Sequence, residues 1–160
     1  MAQAGERSSA AERRRWRAGS LSVAAGVAHG LVAPEHFREW WGYGLFFGLA
    51  AIAQVFYGGL LLLAPWRYDE TGGLRPSTAR TDRTVYATGA VGMAALIVLY
   101  VISRTVGIPF LGPEAGRIEP ITPAGLATKL LEAAALATLV ILWRCSERNP
   151  LADSGHGIDG

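Results

Sequence analysis

Three long apolar stretches constrain the fold of this 160-residue chain more than any other feature. The clearest is 42–64, which reads GYGLFFGLAAIAQVFYGGLLLLA and contains no formally charged residue. The other two, 85–107 and 124–143, contain only one and two charged residues, respectively. About 20 apolar residues in an α-helix cross the roughly 30 Å hydrocarbon core of a bilayer. The three stretches therefore predict membrane-spanning helices.

A fourth stretch, 18–33, reads AGSLSVAAGVAHGLVA and is shorter and less apolar. Its basic flank at 13–17 and its short apolar run are also compatible with a secretory signal peptide. Against that alternative, His29 interrupts the apolar run and Pro34 follows it directly. We therefore predict a retained helix, which makes four spans.

The composition agrees with a membrane protein. Charged residues make up 18% of the chain, whereas soluble domains carry about 25%. Together with a mean hydropathy of +0.25, this argues against an ordinary cytosolic enzyme and against a disordered chain. The single cysteine, Cys145, excludes an internal disulfide and a cysteine-based zinc cluster.

The basic residues predict the orientation of the spans, because cytoplasmic loops of membrane proteins are enriched in lysine and arginine. Only Arg38 and Arg117 lie in the two connections on one side. Eleven lie on the other side: Arg7, Arg13, Arg14, Arg15, Arg17, Arg67, Arg75, Arg80, Arg83, Arg144 and Arg148. We expect both termini in the cytoplasm of a prokaryotic cell, with the chain in the plasma membrane. The net charge of +2 then reflects topology and contact with anionic lipid, and predicts no nucleic-acid partner.

The predicted fold class is all-α, a bundle of four transmembrane helices. A basic cytoplasmic tail at 1–17 precedes the membrane domain at 18–143, and a second cytoplasmic tail follows at 144–160. Pro34 is expected at the first position of a short interfacial helix over 34–41. The outer loop 108–123 holds four of the eight prolines and is expected to be shaped by them.

Polar residues inside the spans are the candidates for a ligand or ion site. Burying an ionisable group in a membrane costs free energy, so such groups face the interior of the helix bundle. Glu132 is the strongest candidate, since it is too deep and too short to reach the surface. A purely structural pair of Glu132 with Lys129 is the alternative. The predicted ligand or ion site comprises His29, Gln54, Tyr57, Arg104, Lys129 and Glu132.

Imidazole and carboxylate groups near the predicted outer face suggest a transition metal such as copper or zinc. The candidate metal ligands are His29, His36, Glu35, Glu39, Glu114 and Glu119. No HExxH or HxxxH signature accompanies them. An acidic, solvated loop and a histidine satisfied by a neighbouring helix form the alternative interpretation.

Three segments resemble small multi-span membrane proteins of prokaryotes to which no function is assigned. They read EHFREWWGYGLFFGLAAIAQVFYG, RTVGIPFLGPEAGRIEPIT and LLEAA. The resemblance extends over 18–143. It implies a four-span integral membrane protein and brings no catalytic residues to this chain.

No enzyme signature is present: the chain has no GxSxG, no phosphate-binding glycine loop and no CxxC. The first hypothesis is therefore a non-enzymatic accessory subunit, or a metal or small-ligand binding module with a polar site in the outer half. The alternatives are a proton- or ion-conducting oligomer that uses Glu132, and a membrane redox or metalloenzyme that uses His29 and the outer carboxylates. Expected partners are the lipid bilayer and either other membrane subunits or further copies of the chain.

Overall fold

The computed structural model describes residues 2–68, 71, 73, 79–109 and 112–147. This part of the chain is helical and contains no β-strand, which confirms the predicted all-α class. Most of the predicted C-terminal tail, with Arg148, lies outside the described residues, as does Arg75. The α-helices are α1 (Ala2–Glu39), α2 (Trp41–Leu63), α3 (Ala79–Thr105) and α4 (Pro123–Glu147), and a 3-10 turn at Pro65–Arg67 follows α2.

Helices α2, α3 and α4 are each long and apolar enough to cross a membrane. Large apolar side chains point away from the protein on these helices, with Ile52 68%, Phe56 72% and Val91 70% exposed. A soluble protein of this size rarely exposes a continuous apolar surface of this kind. The exposed side chains suggest that these helices contact a lipid bilayer.

Helix α1 does not end at Pro34, which lies inside it. The prediction of a separate interfacial helix beginning at Pro34 is therefore wrong. Proline lacks an N–H, so the carbonyl of Gly30 loses its usual helical donor, but the adjoining turns continue. The turn after Pro34 is held by tertiary contact, because the Phe37 ring lies against Gly44 of α2.

Close backbone approach joins α1 to α2. A Cβ on Gly26 would lie 2.8 Å from the carbonyl oxygen of Ala51, and one on Gly58 would lie 2.7 Å from that of Gly19. Such distances leave no room for a side chain, as at the small-residue interfaces of membrane helices. Between these two contacts, the Ser22 hydroxyl donates a 2.8 Å hydrogen bond to the backbone carbonyl of Gln54. The small residues Gly19, Ser22 and Gly26 therefore place one face of α1 against α2.

Helix α4 packs against both α1 and α3, whereas α2 packs mainly against α1 and meets α3 through side chains. The core is built from small and medium apolar side chains of all four helices. Its members are Ala18, Leu61, Tyr86, Met93, Ala135, Leu139 and Leu142. Trp66, directly after α2, also packs against this core.

The α3–α4 connection folds back on the end of α3. Gly107 adopts φ +75°, and a Cβ there would lie 2.8 Å from the carbonyl oxygen of Arg117. Glycine suits this position because residues with an L side chain rarely adopt this left-handed backbone conformation. The backbone N–H of Glu119 then donates to the carbonyl of Ser103 at 3.2 Å. This contact brings Glu119 beside Arg104, and α4 then begins at Pro123.

Candidate functional site

Glu132 of α4 is the most deeply buried ionisable side chain among the described residues, with 0% exposure. Its Oε2 atom accepts a short hydrogen bond from the Nζ of Lys129, one turn earlier on the same helix. The i, i+3 spacing places both side chains on one helix face, as the sequence predicted. The Lys129 side chain is itself 12% exposed, so this opposite charge is largely removed from solvent.

His29 reaches the same carboxylate from α1. Its Nε2 lies 2.8 Å from Glu132 Oε1, and the residue is 4% exposed. An ionised carboxylate only accepts hydrogen bonds, so Nε2 carries the proton in this pair. The imidazole also lies against the ring of Phe47, with 5.5 Å between ring centroids.

Gln54 connects α2 and α3 to this carboxylate. Its Nε2 donates to Glu132 Oε1 at 3.0 Å and to the sulfur of Met93 at 3.6 Å. Both amide hydrogens are therefore used, whereas the side-chain oxygen Oε1 is buried without a donor in the described part of the chain. A buried acceptor without a donor is uncommon in native proteins.

These contacts define the Glu132 network: His29, Gln54, Lys129 and Glu132. The network draws on three helices and touches a fourth through Met93. Four of the six residues predicted for the ligand or ion site thus lie together. The ammonium group of Lys129 balances the carboxylate charge, and such a pair is costly to break because the remaining charge stays buried.

Arg104, another predicted site residue, has no direct contact with Glu132. It lies over the ring of Tyr100, which also contacts Lys129, the partner of Glu132. The guanidinium carbon of Arg104 lies 4.9 Å from the Tyr100 ring centroid, and Lys129 Nζ lies 5.4 Å from the same centroid. Arg104 also makes a short ion pair with Glu119 of the α3–α4 connection. Tyr100 was missed by the sequence interpretation, although its i, i+4 spacing to Arg104 was a signal.

Tyr57 lies outside the Glu132 network. Its hydroxyl donates a 3.0 Å hydrogen bond to the backbone carbonyl of Val85, and its ring lies against Gly89 of α3. Tyr57 and Gln54 share a face of α2, as their i, i+3 spacing predicted, and both line a groove between α2 and α3.

This groove, the α2–α3 groove, has a volume of about 430 Å³. That volume is within the range of small-molecule sites in proteins. Gly92 lies in its wall, and a Cβ there would meet no described atom within 4 Å. The apolar part of the wall comes from Phe46, Leu49, Ala50, Ala53, Met93, Ala95 and Leu96.

The candidate metal ligands do not converge. His36 is one turn beyond Val32 and contacts its carbonyl through Nδ1 at 2.9 Å, while its ring lies 4.0 Å from that of Phe47. Glu114 pairs with Arg117 at 2.6 Å. In the described ranges, no three histidine, cysteine, aspartate or glutamate side chains are grouped so that they could hold a metal ion. Glu35 and Glu39 lie on the last turns of α1, and Glu119 pairs with Arg104.

A second buried carboxylate was missed from the sequence. Asp82, near the start of α3, is 7% exposed and accepts hydrogen bonds from Trp66 Nε1 at 2.7 Å and from Arg67 at 2.6 Å. Tyr86 lies next to this group, with its hydroxyl 3.4 Å from the Arg67 guanidinium. The signals available in the sequence were the WR dipeptide after α2 and the TDR segment before the apolar stretch 85–107. This cluster ties the end of α2 to the start of α3.

No family model matches the chain, and no curated protein and no solved structure matches it.

Proposed function

We propose that this protein is a non-enzymatic integral membrane protein of four spans that binds a membrane-soluble small molecule in the α2–α3 groove. The observation that carries the proposal is the position of Gln54, which belongs to the Glu132 network and lines the groove. A well-formed apolar pocket with a polar group in its wall is the usual form of a ligand site. The network holds this wall in place from inside the protein.

The four-span topology is supported by the length over which α1 accompanies α2. Gly19 lies beside Gly58, and Phe37 lies beside Gly44. The 19–37 segment therefore runs antiparallel to 44–58 over about 27 Å of α1 and about 21 Å of α2 at 1.5 Å per residue, which is most of the hydrocarbon thickness of a bilayer. Because α2 is a candidate span, α1 occupies the same depth.

The orientation rests on the distribution of basic residues. The connections at 40 and 106–122 form the outer side, and both termini lie in the cytoplasm of a prokaryotic cell. With this orientation the Glu132 network lies between the outer surface and the bilayer midplane. The resemblance to small four-span prokaryotic membrane proteins agrees with a plasma-membrane location.

The Glu132 network is best suited to a supporting role in this binding module. Both carboxylate oxygens are already engaged by protein donors: Oε1 by His29 and Gln54, and Oε2 by Lys129. A carboxylate held on both oxygens in this way orders the side chains around it, because each removed partner leaves a buried group unpaired. The network therefore positions Gln54, and the groove provides the binding surface.

A photoreactive probe tests the proposal: cetyl alcohol that carries a diazirine near the middle of its chain. The protein is reconstituted in lipid nanodiscs, irradiated with a small amount of the probe, and digested for mass spectrometry. We expect labelling concentrated on 46–57 and 88–96 and suppressed by excess unlabelled cetyl alcohol. The probe is uncharged, so this result depends on the groove and not on charged side chains.

Two glycine variants supply the matched comparison. Gly92→Leu fills the groove, and Gly48→Leu adds the same side chain outside it, since neither glycine has a described atom within 4 Å of its missing Cβ. We expect Gly92→Leu to remove the concentrated labelling and Gly48→Leu to preserve it. Uniform labelling of every lipid-facing helix, unchanged in Gly92→Leu, would refute a ligand site in the groove.

Proton conduction by an oligomer is the second candidate function. It is favoured by the series of side chains that runs from Glu132 through Lys129, Tyr100 and Arg104 to Glu119. Proteoliposomes with an enclosed pH dye decide between the two candidates. A binding module gives the flux of empty liposomes, whereas flux that disappears in Lys129→Met/Glu132→Gln, which leaves no unpaired buried charge, but persists in Gly48→Leu would establish conduction.

A further inference from the structure

A second cavity adjoins the α2–α3 groove. This arginine pocket has a volume of about 480 Å³ and lies where α3 begins and α4 ends. Its walls come from Arg80, Arg83, Thr84, Ala87, Thr88 and Trp143. Thr88 also lines the α2–α3 groove, so the two cavities meet at this residue.

The two cavities, which share Thr88 and follow each other along α3, are together called the slot. Arg80, Thr84, Thr88, Gly92 and Leu96 follow one another at i, i+4 spacing, in a row that turns by about 40° around α3 at each step. The first four of these residues are exposed. The slot is basic at the Arg80 end and apolar at the Leu96 end.

We propose that an anionic phospholipid of the cytoplasmic leaflet occupies this slot, with its phosphate in the arginine pocket and one acyl chain in the α2–α3 groove. The inference rests on the proposed function, and names the chemical class of its ligand. An anionic phospholipid matches both ends, because its phosphate and its acyl chains are attached to the same glycerol unit.

Charge complementarity supports the polar end. Guanidinium groups bind phosphate oxygens through paired N–H donors, and two arginines face this pocket. The Arg83 guanidinium carbon lies 5.7 Å from the centroid of the Trp143 ring, which orients the side chain. The Thr84 hydroxyl donates to the carbonyl of Arg80 at 3.1 Å, so its proton is already engaged within α3. In the proposed topology both arginines lie at the cytoplasmic surface, where anionic lipids concentrate.

The dimensions support the apolar end. From Thr88 to Leu96 the groove extends about 12 Å along α3, at 1.5 Å per residue. One leaflet of a bilayer contributes about 15 Å of hydrocarbon. A single acyl chain from a lipid held at Arg80 and Arg83 therefore matches the groove in length and direction.

Lipid retention tests the proposal. The full chain is reconstituted in nanodiscs with equal amounts of phosphatidylglycerol and phosphatidylcholine, extracted with mild detergent and washed, and its bound lipid is counted by mass spectrometry. We expect phosphatidylglycerol to be retained in preference to phosphatidylcholine. The preference should fall by roughly thirtyfold in Arg80→Gln/Arg83→Gln, since each basic side chain at an anionic surface contributes about fivefold.

The control variant Arg13→Gln/Arg17→Gln removes two exposed basic residues from the same predicted side of the membrane, outside the slot. It should keep the preference for phosphatidylglycerol. The single variant Arg80→Gln leaves the contact of Arg83 with Trp143 in place and should give an intermediate loss, even where the double variant folds poorly. An equal loss in the Arg13→Gln/Arg17→Gln control would overturn the assignment to the arginine pocket.

Two further measurements separate the possible outcomes. Excess inorganic phosphate should leave the bound phosphatidylglycerol in place, whereas displacement by phosphate, but not by chloride at equal ionic strength, would reassign the pocket to soluble phosphate. Labelling by the diazirine probe is recorded on the same samples. If the two lipids are retained equally while the groove is still labelled, only the assignment of a phospholipid is overturned. If both the lipid preference and the groove labelling are absent, the ligand site in the groove is overturned as well.

Discussion

The Nε2 atom of His29 lies 2.8 Å from the Oε1 atom of Glu132, and the two residues are 103 positions apart in the sequence. This contact joins α1 to α4 inside an apolar environment. Another polar contact between the described parts of these helices, from Arg14 to the sulfur of Cys145 at 3.8 Å, is exposed, so the buried His29–Glu132 contact limits how far one helix can slide along the other. Slippage would leave a buried carboxylate and a buried imidazole without partners.

Removal of the Glu132 charge is expected to destabilise the protein strongly. In Glu132→Gln the Lys129 ammonium group stays largely buried without its counter-charge, at a cost of about 3–5 kcal/mol. The double variant Lys129→Met/Glu132→Gln removes both charges and should recover a large part of that loss. Thermal unfolding in detergent measures both effects, and additive losses in the double variant would show that the pair is not energetically coupled.

Replacement of His29 should cost more stability than the same replacement of His36. Both rings contact Phe47, but only His29 reaches another helix through a polar bond, since His36 contacts the carbonyl of Val32 on its own helix. His29→Phe should destabilise by about 1–3 kcal/mol because Glu132 loses a buried donor. His36→Phe serves as the matched control and should change the unfolding midpoint little. Equal losses in the two variants would contradict a specific role for the His29–Glu132 bond.

Two neighbouring glycines of α2 give a test of the α1–α2 interface. A Cβ on Gly58 would press on the carbonyl of Gly19, whereas one on Gly59 would meet no described atom within 4 Å. Gly58→Val should therefore separate α1 from α2 and destabilise the protein by about 1–3 kcal/mol. Gly59→Val carries the same change in helix propensity without the clash, so the difference between the two midpoints isolates the packing. A midpoint difference near zero would mean that α1 does not pack on α2 at this level.

Cysteine labelling tests the orientation. Cys145 is exposed near the end of α4, on the predicted cytoplasmic side. In intact cells a membrane-impermeant maleimide should leave Cys145 unlabelled until the membrane is permeabilised. In a Cys145→Ser background, Glu114→Cys should be labelled without permeabilisation, because the α3–α4 connection faces outward. The reverse labelling pattern would invert the topology and remove the arginine pocket from the cytoplasmic leaflet.

Local pattern allowed much of the fold to be predicted. The uncharged run at 42–64 agrees with α2 to within one residue at each end, since apolar length is a property of contiguous sequence. Helix α3 begins six residues before the predicted 85, because the polar turns around Asp82 are held by Trp66 and Arg67. Trp66 and Arg67 follow the end of α2, so the sequence pattern within α3 could not predict these contacts.

The candidate site was only partly predictable. Lys129 and Glu132 share a face by spacing alone, and their pairing followed from one helix. The convergence of His29 and Gln54 on the same carboxylate required the packing of three helices. Pro34 was misleading for a related reason. Its missing N–H favours a helix start locally, but the contact between Phe37 and Gly44 holds the following turn in α1.

The sequence by itself determined that the chain forms long apolar helices and that the scarce charges inside them need partners. Both conclusions follow from the high cost of exposing backbone or charge to hydrocarbon, which depends only on residue type and contiguous length. Only the tertiary structure decided which partners meet. His29, Gln54 and Lys129 bond to Glu132, whereas Arg104 pairs with Glu119 and not with Glu132. Those pairings depend on how the helices are rotated and offset. Close contacts such as Gly26 on Ala51 set that geometry, and no single segment of the sequence contains it.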